Sequence, residues 1–259
     1  MKGLLYYFSG TGNTKWSAEV FKKEFENLHK EIVIKNIEEE ESIDLKGYNY
    51  LIIGTPVHAE FPPRIVMDFV NKLPVNDKNI KCIVYSTQGA NSAAATEYIK
   101  RQLESKGYEV LVQIALRFAN NYYFGVGVQR SEEEIADFCR KAEEKIKLAA
   151  EKFLKGEQFK EKSSGARVFF AKISHNGFSK MLPKLSASLT STEECSKCGI
   201  CLRNCPKGNI TFEEGHAVFH SKCMMCTRCI HLCPINAIRY KGKKINQVQK
   251  KMIKSLELK

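Results

Sequence analysis

Eight of the ten cysteines in this 259-residue chain fall between residues 195 and 233. They stand in two runs, "CSKCGICLRNCP" (195–206) and "CMMCTRCIHLCP" (223–234), each of the form C-x2-C-x2-C-x3-C-P. Four soft thiolates per run could hold Zn2+ or an iron–sulfur cluster. Spacing separates the two. Zinc ribbons use two CxxC pairs divided by a longer spacer, whereas three cysteines two residues apart wrap one face of a cubane before Cys-Pro turns the chain away. The chemistry expected is one-electron transfer through two [4Fe–4S] clusters. The runs repeat at an offset of 28, and the match extends to Ile210 with Ile238 and Phe212 with Tyr240, an internal duplication. Cys82 and Cys139 stand alone and read as inert, buried thiols.

A second constellation opens the chain, "YYFSGTGNTKWSAEV" (6–20), a hydroxyl-rich turn with no arginine whose only lysine comes after it. Backbone N–H groups at a helix N-terminus bind phosphate without a cationic side chain. Gly10 and Gly12 let the backbone curl around the anion, and Ser9, Thr11, Asn13 and Thr14 add donors. A dinucleotide fingerprint needs a third glycine where Lys15 stands, and a P-loop needs a Gly-Lys-Ser/Thr that is absent. A monophosphate held by neutral donors is what remains.

The elements that position these groups alternate. Strand patterns at 3–9, 31–37, 48–56, 79–86 and 108–116 are separated or followed by helical spacing at 14–28, from Pro63 to Val70, at 93–106 and at 131–155. Ser131 with Glu134 forms a capping box for the last helix. Such alternation implies α/β architecture, a doubly wound five-stranded parallel sheet covered on both faces. Its ligand is expected beyond the carboxyl ends of the strands, in the loops at 9–14, 55–62, 87–92 and 119–128.

Ser9-Gly10-Thr11-Gly12-Asn13-Thr14 resembles the FMN phosphate loop of the flavodoxin family position by position, and the similarity covers about residues 1–155. The resemblance implies FMN. Ser9, Thr11, Gly12, Asn13 and Thr14 would hold its phosphate, and Thr55, Pro56, Val57, His58, Thr87, Gln88, Gly89, Asn120 and Tyr122 would line the rest. The isoalloxazine would rest between "TPVHAEFP" (55–62) and "STQGAN" (86–91). The family usually flanks the ring with aromatics; the third loop here has none, which leaves His58, Phe61 and Tyr122 or Tyr123 as candidates. Trp16, one turn into the first helix, reads as packing. Residues 191–240 resemble the bacterial two-cluster ferredoxins, a small α+β domain. That resemblance implies crossed ligation, with one cluster on Cys195, Cys198, Cys201 and Cys233 and the other on Cys223, Cys226, Cys229 and Cys205. Gly199, Ile200, Leu202, Ile210, Ile230 and Ile238 would shield the sulfides, and His220 and His231 read as solvent-side residues.

Between the two regions, 156–190 reads as a connecting and docking segment: "KEKSSG" as a hinge, then Phe169, Phe170, Ile173, Phe178, Met181 and Leu182 as apolar docking side chains. Residues 241–259 form a basic tail, with Ile245, Val248, Met252 and Leu256 at the spacing of a partly frayed amphipathic helix. Charge is uneven. Up to residue 160 there are 23 Lys+Arg and 23 Asp+Glu; from 161 onward 18 and 6, so the net +12 lies in the last hundred residues. Aromatics are not interleaved with the basic residues, which argues against a nucleic-acid partner. No run approaches the roughly 18 apolar residues of a membrane span, and a first segment that reads directly as a strand points to the cytoplasm. The combined expectation is an electron-transfer protein that relays electrons between FMN, two [4Fe–4S] clusters and redox partner proteins. The alternative is a flavin-dependent reductase acting on a small substrate with the clusters supplying electrons.

Overall fold

The computed structural model describes residues 1–76, 78–90 and 92–256. They divide into two compact units. The first comprises Met1–Ser9, Asn13–Ala119 and Arg130–His175; the second comprises Gly10–Gly12, Asn120–Gln129 and the residues from Asn176 onward.

The first unit is built on a parallel sheet: β1 (Lys2–Tyr7), β2 (Glu31–Asn36), β3 (Tyr50–Pro56), β4 (Lys81–Gln88), β5 (Glu109–Arg117) and β6 (Phe159–Lys160). Their spatial order is β2-β1-β3-β4-β5-β6. Consecutive residues along β1, β3 and β4 are buried, so both faces of the sheet are covered. The cover comes from α1 (Asn13–Asn27), α2 (Arg64–Lys72), α3 (Ala94–Glu104), α4 (Glu132–Leu154) and the first part of α5 (Gly165–Ala187). The order reverses between β1 and β3, whose carboxyl ends therefore flank the crevice where such sheets bind ligands.

Local chemistry fixes the helix starts. Ser131 Oγ accepts from Glu134 N–H at 3.2 Å while Ser131 N–H donates to Glu134 Oε2 at 2.9 Å, the reciprocal pair expected before α4. Pro63 sits at the cap of α2 with Arg64 as its first helical residue.

The sheet has one strand more than the sequence pattern gives. β6 lies at the start of the segment read as a connector and pairs with Val112 and Gln113 of β5. Glu161, within the presumed hinge, is pinned: its carboxylate accepts from Ala115 N–H at 2.6 Å and Lys145 Nζ at 2.5 Å. The docking face of α5 also differs. Val168 and Ala171 pack with Phe61 and Ala94, whereas Phe169, Phe170, Ile173 and Met181 are 61%, 62%, 52% and 54% exposed. In this first part of the helix small side chains make the close approach while Phe169, Phe170 and Ile173 are exposed; further along, Phe178 and Leu182 are partly buried against the core of the second unit.

The second unit holds β7 (Leu189–Ser191), α6 (Ile200–Arg203), β8 (Ile210–Glu213), β9 (His216–Phe219), α7 (Arg228–Leu232), β10 (Ile238–Tyr240), β11 (Lys243–Lys244) and α8 (Lys250–Lys254). β8 and β9 form one antiparallel hairpin; β11-β10-β7 form a three-stranded sheet. The duplication is visible in the backbone. Left-handed residues recur at the same offset of 28, Lys197 with Met225, Gly199 with Thr227, and Gly208 with Asn236. Both hairpins turn through two positive-φ residues, Glu214-Gly215 and Lys241-Gly242, the combination a two-residue type I′ loop demands. Among its described residues the tail is helical over α8 alone. Ile245, Val248, Ile253 and Leu256 are buried, so it is packed chain rather than a frayed amphipathic helix. Asn91 of the third loop and residues 257–259 of the tail lie outside the described residues.

Candidate functional site

In the first unit, Thr14 begins α1 with its side chain buried, and its Oγ1 lies 2.8 Å from Thr87 Oγ1 at the end of β4. The strand-end loops of β1 and β4 are thus tied by one hydroxyl pair. Tyr85 supports it from beneath, donating its hydroxyl to Thr14 O at 2.9 Å. Gly54 makes room for that ring; a Cβ there would stand 2.3 Å from its Cζ. Ser9 and Asn13 are buried, and Asn13 Oδ1 has no hydrogen-bond partner. An orphaned buried acceptor in this loop fits a site completed by a polar ligand that offers it a hydroxyl or N–H donor.

Thr55 donates its hydroxyl to Pro56 O at 2.8 Å, and Val57 N–H bonds Thr87 O at 3.2 Å, which draws the second and third loops together. His58 and Phe61 close a tight turn through Ala59 and Glu60, both at positive φ. Phe61 is not available to flank a ring: it is 2% exposed and packs on Tyr98 at 4.6 Å and His175 at 5.6 Å. His175 Nδ1 lies 2.9 Å from His58 O. The Gln88 amide is engaged inside its own loop, donating to Ala90 O and Ser92 O and accepting from Ser86 Oγ. Its place is to shape the third loop, beside exposed Gly89. Trp16 meets Phe118 edge-on at 5.6 Å, a packing role as expected.

The remaining loop residues belong to the second unit. Thr11 Oγ1 accepts from Asn121 Nδ2. Gly12 has φ +101°, and a Cβ there would stand 2.3 Å from Met252 O, so only glycine fits. Asn120 organises its own loop, donating to Val126 O at 2.6 Å and accepting from Tyr122 N–H at 2.9 Å. Tyr122 Oη lies 3.1 Å from Tyr240 Oη, and Tyr123 donates to Asn246 O at 2.7 Å. Both tyrosines are engaged within this unit.

The eight clustered cysteines line two cavities. One is walled by Cys195, Cys198, Cys201 and Cys233 with Phe212 and Ile238. The other is walled by Cys205, Cys223, Cys226 and Cys229 with Ile210 and Phe219. Each takes three cysteines from one run and the last from the other. Backbone N–H groups point at the sulfurs in matched places: Asn209 to Cys205 at 3.3 Å, and Ala237 to Cys233 at 3.2 Å. Met225 N–H donates to Cys223 at 3.3 Å. Burial pushes the Cys201 thiol up to about 11 and that of Cys226 to about 12, and raises Cys223 and Cys229 as well. Thiolates in such apolar walls need a metal's charge to form. Among the described residues, no three His, Cys, Asp or Glu side chains are grouped so as to hold a single metal ion. The donor set and its apolar walls fit a polynuclear cluster.

Cys82 is wholly buried and its thiol is pushed up by desolvation, and the half-buried Cys139 is raised to about 11; neither is poised to react. His220 is exposed as expected. His231 is not: it is 3% exposed, its Nδ1 accepts from Val248 N–H at 3.3 Å and its Nε2 bonds Asn121 O at 2.8 Å. The sequence held no local sign of this, because both partners are distant in the chain. Arg228, buried and bonded to Asn204 O and Gly10 O at 3.0 Å, was missed for the same reason.

Known proteins match in two places. A family described as "Flavodoxin domain" covers residues 4–119, and one described as "4Fe-4S dicluster domain" covers residues 194–237. The ferredoxin-like protein in the vnf region of Azotobacter vinelandii is 39% identical over 49 residues, 17% of this chain and 75% of that protein. RNA polymerase subunit Rpo3 of Methanosarcina acetivorans is 32% identical over 92 residues, 30% of this chain. This chain spans only 35% of that subunit. Among solved structures, the Fusobacterium nucleatum flavodoxin bound to flavin mononucleotide aligns at 14% identity with a TM-score of 0.45, over 61% of this chain and 99% of its own.

Proposed function

Because the chain belongs to the flavodoxin–ferredoxin fusion proteins, we propose that it is an electron carrier relaying electrons between FMN, two [4Fe–4S] clusters and redox partner proteins. One observation carries the reading: two cavities, each walled by three cysteines of one run and the fourth of the other. That is the crossed ligand set a two-cluster site uses. Cys195, Cys198, Cys201 and Cys233 hold one cluster; Cys205, Cys223, Cys226 and Cys229 hold the other. In the flavin site, Thr14, Asn13 and Ser9 receive the phosphate end, and Thr87 is fixed beside Thr14. FMN supplies the step between paired and single electrons, and each cubane carries one electron at a time.

Cofactor content tests this directly. Anaerobically prepared or reconstituted protein is expected to contain about eight iron and eight sulfide with one FMN per chain, and negligible zinc. Stoichiometric zinc without sulfide refutes the cluster assignment.

A second reading, a flavin-dependent reductase, draws support from a cleft in the first unit where Arg117, Lys141, Lys145 and Lys162 outnumber the single carboxylate of Glu161. The cleft lies at the carboxyl ends of β4 and β5 and is cationic, suiting a small anionic substrate. Steady turnover of such a substrate by reduced protein, slowed by Arg117→Ala, would favour it over the carrier.

A further inference from the structure

The two cysteine runs share a backbone but not an environment. Taken at the offset of 28, Lys197 is exposed where Met225 is buried, and Arg203 is exposed where His231 is buried. Cys198 is exposed where Cys226 is half-buried, and the half-buried Ile200 and Leu202 answer to buried Arg228 and Ile230. Duplicated sequence gives two equivalent loops; what differs is what lies on them.

The second run is covered by the end of the chain. Gln247 Nε2 donates to Ile230 O at 2.8 Å and, at 2.6 Å, to the backbone carbonyl of Cys233, the one cysteine of this run that lines the other cavity. Val248 N–H reaches His231 Nδ1, which leaves the ring proton on Nε2 for Asn121 O. Ile245, Val248 and Ile253 bury apolar surface there, and α8 packs beside α7. Among the described residues, nothing equivalent lies on the first run. Its outer surface is Ser196, Lys197 and Cys198, with the Arg203 guanidinium over Gly199 and the Lys197 ammonium over Gly215.

We propose that the Cys195–Cys198–Cys201–Cys233 set is the port through which this protein exchanges electrons with outside carriers, and that Lys197 and Arg203 form its rim. The Cys205–Cys223–Cys226–Cys229 set is screened from direct exchange. An outside one-electron carrier is oxidised by one electron as the first set's cluster is reduced by one, or the reverse; no bond or proton moves. The inference rests on the electron-carrier reading and adds the order in which the two sets are reached.

The test uses the whole, cluster-loaded protein. Limited ferricyanide takes electrons one at a time and becomes ferrocyanide; the over-oxidised cluster sheds iron to EDTA and frees its thiols. Quenching at half iron loss, alkylating with iodoacetamide and mapping peptides by mass spectrometry shows which set opened. Label is expected several-fold higher on Cys195, Cys198, Cys201 and Cys233. The charge-reversed double variant Lys197→Glu, Arg203→Glu is expected to slow that labelling about 10-fold at low ionic strength, less in high salt, because ferricyanide is an anion. It should leave the second set's rate unchanged. Equal labelling, faster labelling of the second set, or equal slowing of both sets overturns the port. Protein that takes up no iron or sulfide on reconstitution overturns the electron-carrier reading, and the port with it.

Discussion

Replacing Thr14 by valine separates what its hydroxyl does for the fold from what it does for a ligand. Thr14 Oγ1 and Thr87 Oγ1 are 2.8 Å apart and both side chains are buried. Valine keeps the shape, removes the bond and leaves the Thr87 hydroxyl with no partner. The cost is about 1–3 kcal/mol, chiefly the desolvation of that orphaned hydroxyl. Each kcal/mol lowers Tm by about 2–4 °C in a domain of this size. Thr87→Val should cost a similar amount. The double variant Thr14→Val, Thr87→Val should recover most of it, since an apolar pair of the same shape is nearly neutral. FMN affinity follows a different rule. A charge-assisted bond from Thr14 to the phosphate is worth about 1.5–3 kcal/mol, so the single variant should bind FMN about 10- to 150-fold more weakly. The double variant should not recover that loss. Riboflavin, which lacks the phosphate, should bind the native protein far more weakly and respond little to either change. Thermal unfolding of the FMN-free protein gives the first set of numbers and fluorescence titration the second. Equal affinity for FMN and riboflavin, or full recovery of FMN binding in the double variant, would refute the role given to the opening loop.

Two further outcomes follow from the geometry. Cys205→Ala should cost almost no further iron when added to the loss of Cys223, Cys226 and Cys229, but should empty or degrade the remaining site when added to the loss of Cys195, Cys198 and Cys201. Iron counting with FMN content as a folding control decides this, and the reverse additivity would mean each run holds its own metal. At Glu97, 4% exposed, burial alone would raise the carboxyl pKa, but hydrogen bonds from Arg101 at 3.0 Å and Lys100 at 3.3 Å outweigh it and hold it below the usual range. Its contribution is therefore present above the ordinary glutamate value of about 4.3 and lost as pH falls through the depressed one. Glu97→Gln should be less stable than the native chain at pH 7, with the gap in urea midpoint closing below about pH 4; a gap constant with pH would refute the ion-pair account.

Where the sequence was informative, the signal was local. The long apolar strands announce the buried sheet, and Ser131 with Glu134 announces the start of α4, because both depend on neighbours within a few residues. β6 escaped notice because Phe159 and Lys160 are too few to carry a period; only pairing with β5, far away in the chain, makes them a strand. Within α5, Phe178 and Leu182 pack as their hydrophobicity suggests, but over the first turns it favours Phe169 and Phe170, while close approach is decided by Val168 and Ala171. The grouping of the eight cysteines about two cavities is the one the ferredoxin resemblance implies. The buried state of His231 and Arg228 was not legible, since it depends on groups such as Asn121, Val248 and Asn204 that no motif connects to them.

Thr227 carries a consequence for how the second unit comes undone. It caps α7 at φ +60°, where its duplicate, Gly199, caps α6. Left-handed backbone costs a side-chain-bearing residue about 1–2 kcal/mol that glycine escapes, and β-branching at threonine adds to the crowding. Asn236 holds the same conformation where its duplicate is Gly208, while Met225 and Lys197 share it in both loops. A shape kept against local preference must be imposed from elsewhere, and binding metal through Cys223, Cys226 and Cys229 would impose it. Stripped of metal, the second cysteine loop has stored strain to release, while the first, eased by Gly199 and Gly208, has less. The buried, better-protected half of the duplication would then be the one that most needs its metal to exist, and an emptied protein would begin to unwind at Thr227 rather than at its exposed twin.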